Sequence, residues 1–436
     1  MAKEKSKKIT LEEVLVPIEE QPYVIPENWC WVRPLSVLEI EYGKGLSMKE
    51  LAGDGYPVFG ANGQIGYYSE YMFKEEMALM SCRGAYSGTM NCSLPYSYVT
   101  SNSLIMKDID RVFTSSKFIY YMYSALNTKK LVSGSAQPQV TVQAFKDFAI
   151  PLPPLAEQKR IVEQIESLFS KLDEANEKAQ EVIDRIETNI EAILYNAFSG
   201  KLTQYWRKEN GVDYNWENST LSKIVSGLKY GSSEKSDYNN NGTPVLRIPN
   251  IGEGVIDFSD LKYMQGELEN SSHEVFENDI LIIRSNGSRD LVGKCAIVPA
   301  LERRFAYASF LIRIKTSDKV LPNYLVRYIN SLMARGQLFA KAKSSSGIHN
   351  INSKELGSIR IDVPTIEEQT EILKIIDPLI KKELDVKDIT SNMIENIAEL
   401  KKSILAKAFR GELGTNVSLE ESSIELLKKT IEEGKD

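Results

Sequence analysis

Side chains that hydrogen-bond to nucleic acids are concentrated in short loops of this 436-residue chain. Arg, Asn, Gln and Ser hydrogen-bond to base edges in the major groove, and Lys and Arg also contact phosphates. Loops before residue 140 are rich in Tyr, Ser, Asn and Gln, whereas those of residues 229–350 add several arginines. The candidate DNA-binding residues are Lys44, Asn62, Gln64, Arg83, Tyr86, Ser87, Asn102, Gln137, Gln139, Lys229, Tyr230, Ser232, Arg247, Asn250, Arg284, Asn286, Ser288, Arg289, Ser345, His349 and Asn350.

A second interpretation of the same loops is that they are ordinary polar turns. Asn and Gly are favoured in turns because they tolerate positive φ. The cluster at residues 284–289 and the two similar loops at residues 133–139 and 344–350 are compatible with either interpretation. Both interpretations therefore stay open at this point.

Motifs of catalysis are missing from the sequence. Only His273 and His349 are present, which is too few for a histidine-based metal centre built from this chain alone. Residues 287–294 imitate a phosphate-binding loop, but they have one residue too many between the glycines and are followed by Cys295, so we predict a hairpin loop. The Asn- or Asp-Pro-Pro-aromatic motif of adenine methyltransferases does not occur. We therefore predict no catalytic residue, no metal ligand and no cofactor in this chain.

Composition indicates a folded protein with an uneven charge distribution. Apolar residues make up 42% of the chain and the formal net charge is −7. Residues 361–436 hold 11 basic and 17 acidic side chains, whereas residues 211–360 hold 19 and 16, which leaves room for a local positive face. The four cysteines show no metal-like spacing, and neither a signal peptide nor a long apolar run is visible. We expect a cytoplasmic protein with reduced thiols and no membrane contact.

The chain contains an internal repeat. Residues 150–202 align with residues 361–413 at a constant offset of 211, with identities that include Glu157-Gln158 and Glu368-Gln369. The preceding segments match more weakly, through Asn-Trp, Tyr-Gly and Gly-x-Pro-Val motifs. We call residues 27–150 head 1 and residues 203–360 head 2. A duplicated unit can bind a two-part target as a dimer binds two half-sites.

The repeated segments are predicted to be long helices. In the first, apolar residues alternate steps of four and three, as in a coiled coil, over a span of 39 residues or about 58 Å. The second keeps this pattern, with Val386 in it, but interrupts it at Glu383, Thr390 and Lys401. The helices either pack on each other or pack separately on the heads. The predicted helix-pair core is Ile161, Ile165, Leu168, Leu172, Val182, Ile186, Ile193, Ile372, Ile376, Leu379, Met393, Ile397 and Ile404.

The heads are predicted to contain mostly strands, each with one late helical stretch, at residues 117–131 and 323–341. We divide the chain into a lead-in (1–26), head 1 (27–150), a long helix (151–202), head 2 with its own lead-in (203–360), a second long helix (361–413) and a tail (414–436). The tail is predicted to be helical and to pack near residues 11–17.

Several motifs resemble one known family. Residues 150–162 (IPLPPLAEQKRIV), and the Ala-Phe-x-Gly-x-Leu sequences that begin at Ala197 and Ala408, are similar to the conserved regions of specificity subunits of type I restriction–modification systems. Residues 21–29 resemble the family's entry into a target-recognition domain. The second repeat has a different proline-rich entry at residues 362–365 but keeps Glu368-Gln369.

The resemblance implies an α+β fold: two mixed α/β target-recognition domains separated by two long antiparallel coiled-coil helices, with a pseudo-two-fold internal repeat. It implies a non-catalytic subunit in which each head reads one half of a bipartite, asymmetric site in double-stranded DNA and the helices set the spacer. The implied partners are two modification subunits, which bind S-adenosylmethionine and methylate adenine, and restriction subunits. Two alternatives are the specificity component of a related enzyme that cuts on both sides of its site, and a protein-binding coiled-coil scaffold.

Overall fold

A computed structural model describes residues 10–109, 111–265, 273–345 and 347–433. Contacts divide the chain into two compact units, which are described one at a time below. Unit 1 is Met1–Ala179 with Asn392–Asp436, and unit 2 is Gln180–Ser391. None of the helices in the described ranges combines the length and the apolar character needed to cross a bilayer. The division into six segments drawn from the sequence stays a prediction.

Two long helices dominate the helical content, and both contribute residues to each unit. They are α3, with 44 residues, and α9, with 43. The helices are α1 (Leu11–Val14), α2 (Ser116–Ala125), α3 (Leu155–Phe198), α4 (Gln204–Asn210), α5 (Leu221–Ile224), α6 (Pro322–Asn330), α7 (Leu332–Lys341), α8 (Ser353–Gly357), α9 (Ile366–Ala408) and α10 (Ser423–Glu433).

Unit 1 contains a sheet in the order β2-β8-β5-β6 and a smaller one in the order β4-β3-β7, with β3 and β7 parallel. The pairs β1–β11 and β9–β10 are antiparallel. The strands are β1 (Cys30–Val32), β2 (Leu38–Tyr42), β3 (Tyr56–Gly60), β4 (Gly63–Tyr68), β5 (Ala78–Ser81), β6 (Met90–Cys92), β7 (Tyr98–Val99), β8 (Ser103–Asp108), β9 (Val132–Ser133), β10 (Gln139–Val140) and β11 (Ile150–Leu152).

Unit 2 contains sheets in the orders β13-β23-β19-β21-β16, β14-β17-β15-β22-β18 and β20-β25-β24, and the pair β12–β26. The strands are β12 (Glu217–Thr220), β13 (Val225–Tyr230), β14 (Ser236–Asp237), β15 (Gly242–Leu246), β16 (Gly254–Val255), β17 (Lys262–Gln265), β18 (Glu274–Val275), β19 (Ile280–Ile283), β20 (Ser285–Asn286), β21 (Cys295–Ile297), β22 (Phe305–Tyr307), β23 (Leu311–Thr316), β24 (Lys343–Ser345), β25 (Ile348–Asn350) and β26 (Arg360–Val363).

The two units share one topology, which confirms the internal repeat. The order β2-β8-β5-β6 in unit 1 corresponds to β13-β23-β19-β21 in unit 2. The order β4-β3-β7 corresponds to β17-β15-β22, and β3–β7 and β15–β22 are both parallel. The Gly-x-Pro-Val motif leads through β3 in one unit and β15 in the other, so this weak sequence match marks equivalent strands.

The long helices pack both on each other and on the heads, so the two sequence alternatives are combined. In unit 2, Lys387 Nζ lies 3.2 Å from Glu187 Oε1, and Asn189 Nδ2 donates to Glu383 Oε1 at 3.3 Å. Residue numbers rise along one helix as they fall along the other, so these segments are antiparallel. In unit 1, Lys401 pairs with Asp173 and lies over the ring of Phe169.

Each apolar core continues from a head into the helices. In unit 1, Ile161 and Ile165 of α3 share one cluster with Phe118 of head 1 and with Phe409. In unit 2, Ile372 and Ile376 of α9 share a cluster with the side chains of head 2. Each head is therefore anchored on helical residues within its own unit.

The predicted helix-pair core is correct in part. Buried members are Ile161, Ile165, Ile186, Ile372, Ile376 and Ile397, and partly buried ones are Leu168, Leu172, Ile193 and Ile404. Val182, Leu379, Val386 and Met393 were assigned to the core, but they are exposed by 39%, 42%, 38% and 45%.

The error has a geometric cause. Ile372, Ile376 and Ile380 share one face of α9 that packs into the head 2 cluster, so their spacing of four follows that contact and not the seven-residue pattern of a helix pair. The buried positions advance by four from Ile376 to Ile380, which replaces Leu379. Ile183 is partly buried where Val182 was expected, and Thr390 is buried where Met393 was expected to continue the seam.

Other local predictions are refined. The helical stretch in head 1 ends as an α-helix at Ala125, and that of head 2 is split at Ser331 into α6 and α7. The tail forms α10, and its residues Ile424 and Leu427 share the unit 1 core cluster with Val14, near the lead-in position that the sequence suggested.

The neighbours Leu379 and Ile380 provide a test of the corrected core. We expect Ile380→Ala to destabilise unit 2 by about 2–5 kcal/mol, because it removes a buried side chain. Leu379→Ala should cost less than about 1 kcal/mol, since that side chain is 42% exposed. Thermal denaturation of the two variants measures the difference, and equal effects would contradict the corrected register.

Candidate nucleic-acid interface

Nine candidate residues of head 1 lie on loops joined by backbone hydrogen bonds. Lys44 N donates to Val99 O at 2.9 Å, and Ser101 N donates to Lys44 O at 3.0 Å. Cys82 N donates to Asn102 O at 2.9 Å, and Val140 N donates to Cys82 O at 3.0 Å. Four loops are thus joined at one end of the β2-β8-β5-β6 sheet, in an arrangement that we call the backbone frame (residues 43–44, 82–83, 99–102 and 139–140).

The remaining candidates of head 1 border this frame. Asn62 and Gln64 belong to the β3–β4 hairpin, which is held by the hydrogen bond from Ser103 Oγ to Gly60 O at 3.0 Å. Ser87 Oγ donates to Pro138 O at 2.8 Å, which joins the loop of Tyr86 to the loop of Gln137. Arg83 and Gln139 face each other in an antiparallel bridge. The structure therefore brings the head 1 candidates together.

Head 2 repeats the frame at residues 231–232, 284–285, 307–310 and 350–351. Ser232 N donates to Tyr307 O at 2.8 Å, and Ser309 N donates to Ser232 O at 2.7 Å. Arg284 N donates to Phe310 O at 3.0 Å, and Ile351 N donates to Arg284 O at 2.8 Å. Each of these hydrogen bonds has its equivalent in head 1.

One glycine in each frame is required by close approach of the backbone. A Cβ on Gly43 would lie 2.3 Å from Thr100 O, and a Cβ on Gly231 would lie 2.3 Å from Tyr307 O. Such distances are far below van der Waals contact. The Tyr-Gly pairs that the sequence repeats therefore mark the crossing of two loops.

The two frames carry different side chains at equivalent positions. The register pairs Lys44 with Ser232, Cys82 with Arg284, Arg83 with Ser285, Asn102 with Phe310 and Gln139 with Asn350. Burial raises the pKa of the Cys82 thiol, and the charge of Arg83 opposes part of that rise. The two heads present different chemistry on one scaffold.

Arg284 is held firmly in the second frame. Its Nη1 donates to Ser309 O at 3.2 Å, and its guanidinium carbon lies 4.6 Å from the centroid of the Tyr230 ring. The hydroxyl of Tyr230 accepts a hydrogen bond from Ser353 N at 2.8 Å. Lys229 precedes Tyr230 at the end of β13 and is exposed.

Further candidates of head 2 surround this arginine. Asn286 faces His349 across the β20–β25 pair, and Asn286 Oδ1 accepts from Ser288 N at 2.8 Å. Arg289 is exposed, with its guanidinium carbon 5.1 Å from the centroid of the Phe339 ring. Ser345 ends β24, and its side chain lies outside the described part of the chain.

Three candidates have structural positions that do not fit direct base contact. Asn250 is 1% exposed, and its amide donates to Asp257 O and Asp260 O at 2.8 and 2.9 Å, so we withdraw it. Arg247 is partly buried and pairs with Asp260 at 3.0 Å. Ser232 is buried, and its Oγ accepts from Glu234 N at 3.1 Å. Short Asn- and Arg-containing loops look alike in sequence whether they serve folding or binding.

Two residues of the second frame were missed. Phe310 is 56% exposed and occupies the position of Asn102, and Ser285 occupies that of Arg83. Phe310 has no side chain that hydrogen-bonds to bases, and Ser285 lies inside the 284–289 cluster but is not among the candidates; the strand register identifies both positions. Among the described residues, no group of three or more His, Cys, Asp or Glu side chains is arranged to hold a metal ion.

Comparison with known proteins decides the family. Residues 26–185 and 214–396 each match the family model described as the type I restriction modification DNA specificity domain. The chain belongs to this family. It is a type I restriction–modification DNA specificity subunit, and the two matches correspond to its two target-recognition domains.

Relatives support the same conclusion. The chain is 29% identical over 333 residues to the type I restriction enzyme EcoKI specificity subunit of Escherichia coli (strain K12), covering 73% of this chain and 72% of that one. It is 25% identical over 447 residues to the EcoBI specificity subunit of Escherichia coli, covering 93% and 92%. A solved chain from a study of complex assembly in the type I R-M system has the same fold, with a TM-score of 0.66 at 19% identity, covering 90% of this chain and 100% of that one. The α+β fold class predicted from the sequence is confirmed.

The frame glycine provides a test for one recognition domain at a time. We expect Gly43→Ala to distort the first frame, because its Cβ would collide with backbone carbonyl oxygens. Gly45→Ala is the matched control, since no atom lies within 4 Å of the added Cβ. In a selection of bound sequences from randomised duplexes, Gly43→Ala should lose the sequence preference at one half-site, whereas Gly45→Ala should keep the preference at both. Retention of both half-sites would contradict a role for the frame.

Proposed function

We propose that each recognition domain of this specificity subunit reads one half of a bipartite, asymmetric site in double-stranded DNA, and that the frame carries the reading side chains. The observation that carries this proposal is that the two heads have the same pattern of backbone hydrogen bonds in their frames but different side chains at the equivalent positions. Equal frames present residues in the same geometry, whereas unequal side chains select different bases. An asymmetric site is the expected result.

Unsatisfied polar atoms in the frames support the proposal. Thr100 Oγ1 lies in the first frame, and Arg284 Nε and Asn350 Oδ1 lie in the second. Within the described ranges, none of these buried atoms has a hydrogen-bond partner. Three further unpartnered buried atoms among the described residues, Tyr123 Oη, Arg247 Nε and Ser423 Oγ, lie outside the frames. Most buried polar atoms in native proteins are hydrogen-bonded, so the three exceptions within the frames indicate capacity for a ligand or for water.

We propose that the long helices set the number of base pairs between the half-sites. The α3 helix has 44 residues, which corresponds to about 66 Å at ~1.5 Å per residue. One turn of DNA is about 34–36 Å long, so a helix of this length exceeds a full turn. A helix of fixed length therefore suits a fixed spacer.

We also propose that the subunit is non-catalytic and acts in the cytoplasm with partner subunits. Two modification subunits would bind S-adenosylmethionine and methylate adenine, and restriction subunits would complete the cleaving complex. The four free cysteines suit a reducing compartment. Exposed apolar side chains on α9 provide contact area for partners: Leu379, Val386 and Ile389 in unit 2, and Met393 and Leu400 in unit 1.

Base reading by the first frame is tested by Arg83→Ala. We expect a loss of about 1–3 kcal/mol of discrimination at one position of one half-site, because an arginine can contact guanine through two hydrogen bonds. Lys44→Ala should weaken binding to all DNA sequences alike, and it should reduce the salt dependence of binding by the amount expected for about one phosphate contact. Lys74→Ala, an exposed lysine of the same head, is the control. Absence of duplex binding by the assembled complex would favour the protein-binding scaffold instead.

Partner docking on α9 is tested by Ile389→Asp. This side chain is 69% exposed, so the chain should fold normally, but a charge in an apolar contact should lower the affinity for modification subunits at least tenfold. Leu419→Asp, at a residue that is 96% exposed in the tail, is the control. Titration with modification subunits, followed by native mass spectrometry, measures the assembled fraction at each concentration and hence the affinity. Normal assembly of Ile389→Asp would exclude this surface.

A further inference from the structure

A Glu–Gln pair at the start of each long helix is fully buried and uses its polar atoms in the same way in both units. Glu157 and Gln158 lie in the first turn of α3, and Glu368 and Gln369 lie in the first turn of α9, with exposures of 0–1%. Buried polar side chains are costly unless their hydrogen-bonding atoms are paired. Four such residues at helix starts therefore require a structural explanation beyond helix propensity.

The glutamine makes three hydrogen bonds, two to its own head and one to the proline just before its own helix. Gln158 Oε1 accepts from Thr114 N at 3.0 Å, and Gln158 Nε2 donates to Val112 O and Pro153 O at 2.8 and 3.0 Å. Gln369 repeats the pattern with Leu321 N, Lys319 O and Pro364 O at 2.8, 2.9 and 2.9 Å. In both units the contacted segment leads directly into the main helix of the head, α2 or α6.

The glutamate joins the helix to two other segments of its unit. Glu157 Oε2 accepts from Trp29 Nε1 at 2.7 Å, and Glu157 Oε1 accepts from Thr415 Oγ1 at 3.2 Å. Glu368 Oε2 accepts from Trp216 Nε1 at 3.0 Å, and Glu368 Oε1 accepts from Thr203 Oγ1 at 2.6 Å. The tryptophan precedes the first strand of the head, and the threonine follows the end of the other long helix.

We propose that this Glu–Gln pair is a positioning element that fixes the angle of each recognition domain on its helix and thereby defines the spacer that the subunit accepts. The two hydrogen bonds from each carboxamide to its head weaken as their angles change, whereas apolar burial is non-directional. Binding to DNA with a spacer one base pair too long or too short would require a head to turn, and turning a head would break these bonds. The inference rests on the proposed reading of two half-sites by two heads.

The test is the spacer preference of Gln158→Met in the full chain assembled with its modification subunits. Methionine keeps the length of glutamine but removes the three hydrogen bonds. Duplexes carry both half-sites with the native spacer, or with a spacer one or two base pairs longer or shorter. We expect the preference for the native spacer to fall about tenfold, which corresponds to about 1.4 kcal/mol of lost restraint, while the half-site sequences stay the same.

The controls separate positioning from stability. Gln164→Met makes the same change at an exposed position of α3 and should leave the spacer preference intact. Trp29→Phe removes only the indole hydrogen bond to Glu157 and should relax the preference less than Gln158→Met does. Gln369→Met should act on the other domain in the same way as Gln158→Met.

Each outcome decides between explanations. If Gln158→Met weakens binding to duplexes of every spacer length equally, the positioning role is overturned and only a stabilising role is left. If that variant does not assemble, Trp29→Phe decides, and an unchanged spacer preference there would overturn the inference. If the complex that contains the chain without any substitution binds duplexes of every spacer length equally well, the proposed reading by two heads fails, whatever the role of Gln158.

Discussion

The burial of a carboxylate and a carboxamide at the start of each long helix is the constraint on which the rest of the fold depends. A buried carboxylate must be hydrogen-bonded, and in each unit its donors come from segments far apart in the sequence. For Glu157 they are Trp29, Thr415 and Asn416, the last at 2.8 Å. The head, the start of one helix and the segment after the other helix are therefore brought together at one point.

The two units satisfy this constraint with different charges. Glu157 receives hydrogen bonds from neutral groups, whereas Glu368 also pairs with the guanidinium of Arg207, which is 7% exposed. Arg207 Nη2 in turn donates to Gly200 O at 2.6 Å, and its guanidinium lies over the ring of Tyr214. Removing one partner of a buried ion pair leaves an uncompensated charge. Replacing Glu368 by a neutral residue should therefore lower the free energy of unfolding more than the same replacement of Glu157. The repeat is thus close in geometry but unequal in energetics.

Much of the architecture could be predicted from the sequence because it is encoded by local patterns and by duplication. The constant offset of 211 identified the long helices, and the Tyr-Gly and Gly-x-Pro-Val matches identified equivalent loops and strands. The reasons for those matches could not be predicted. Gly43 is required by the carbonyl oxygens of residues 99–100, and Gln158 by a backbone amide at residue 114, neither of which is near in sequence. Long-range contacts of this kind leave no periodic signal.

The same limit explains the errors in the site and in the helix core. Asn250 resembles a base-reading residue by type, but its hydrogen bonds close its own loop. Phe310 does not resemble one, yet the strand register places it opposite Asn102. Leu379 fits a heptad, but the face of α9 that packs into the head 2 cluster carries Ile380 instead. Residue type predicts chemistry, whereas register decides which residue can use it.

The acidity of the chain has a consequence for how such a protein would discriminate between sequences. Attraction to phosphates supplies most sequence-independent affinity for DNA, and it depends on positive charge. A net charge of −7 weakens that attraction over the whole chain, although residues 211–360 are slightly basic. Contacts to base edges then make up a larger share of the binding free energy contributed by this subunit. Weak non-specific binding raises the ratio of specific to non-specific affinity, and that ratio is what a specificity subunit must provide.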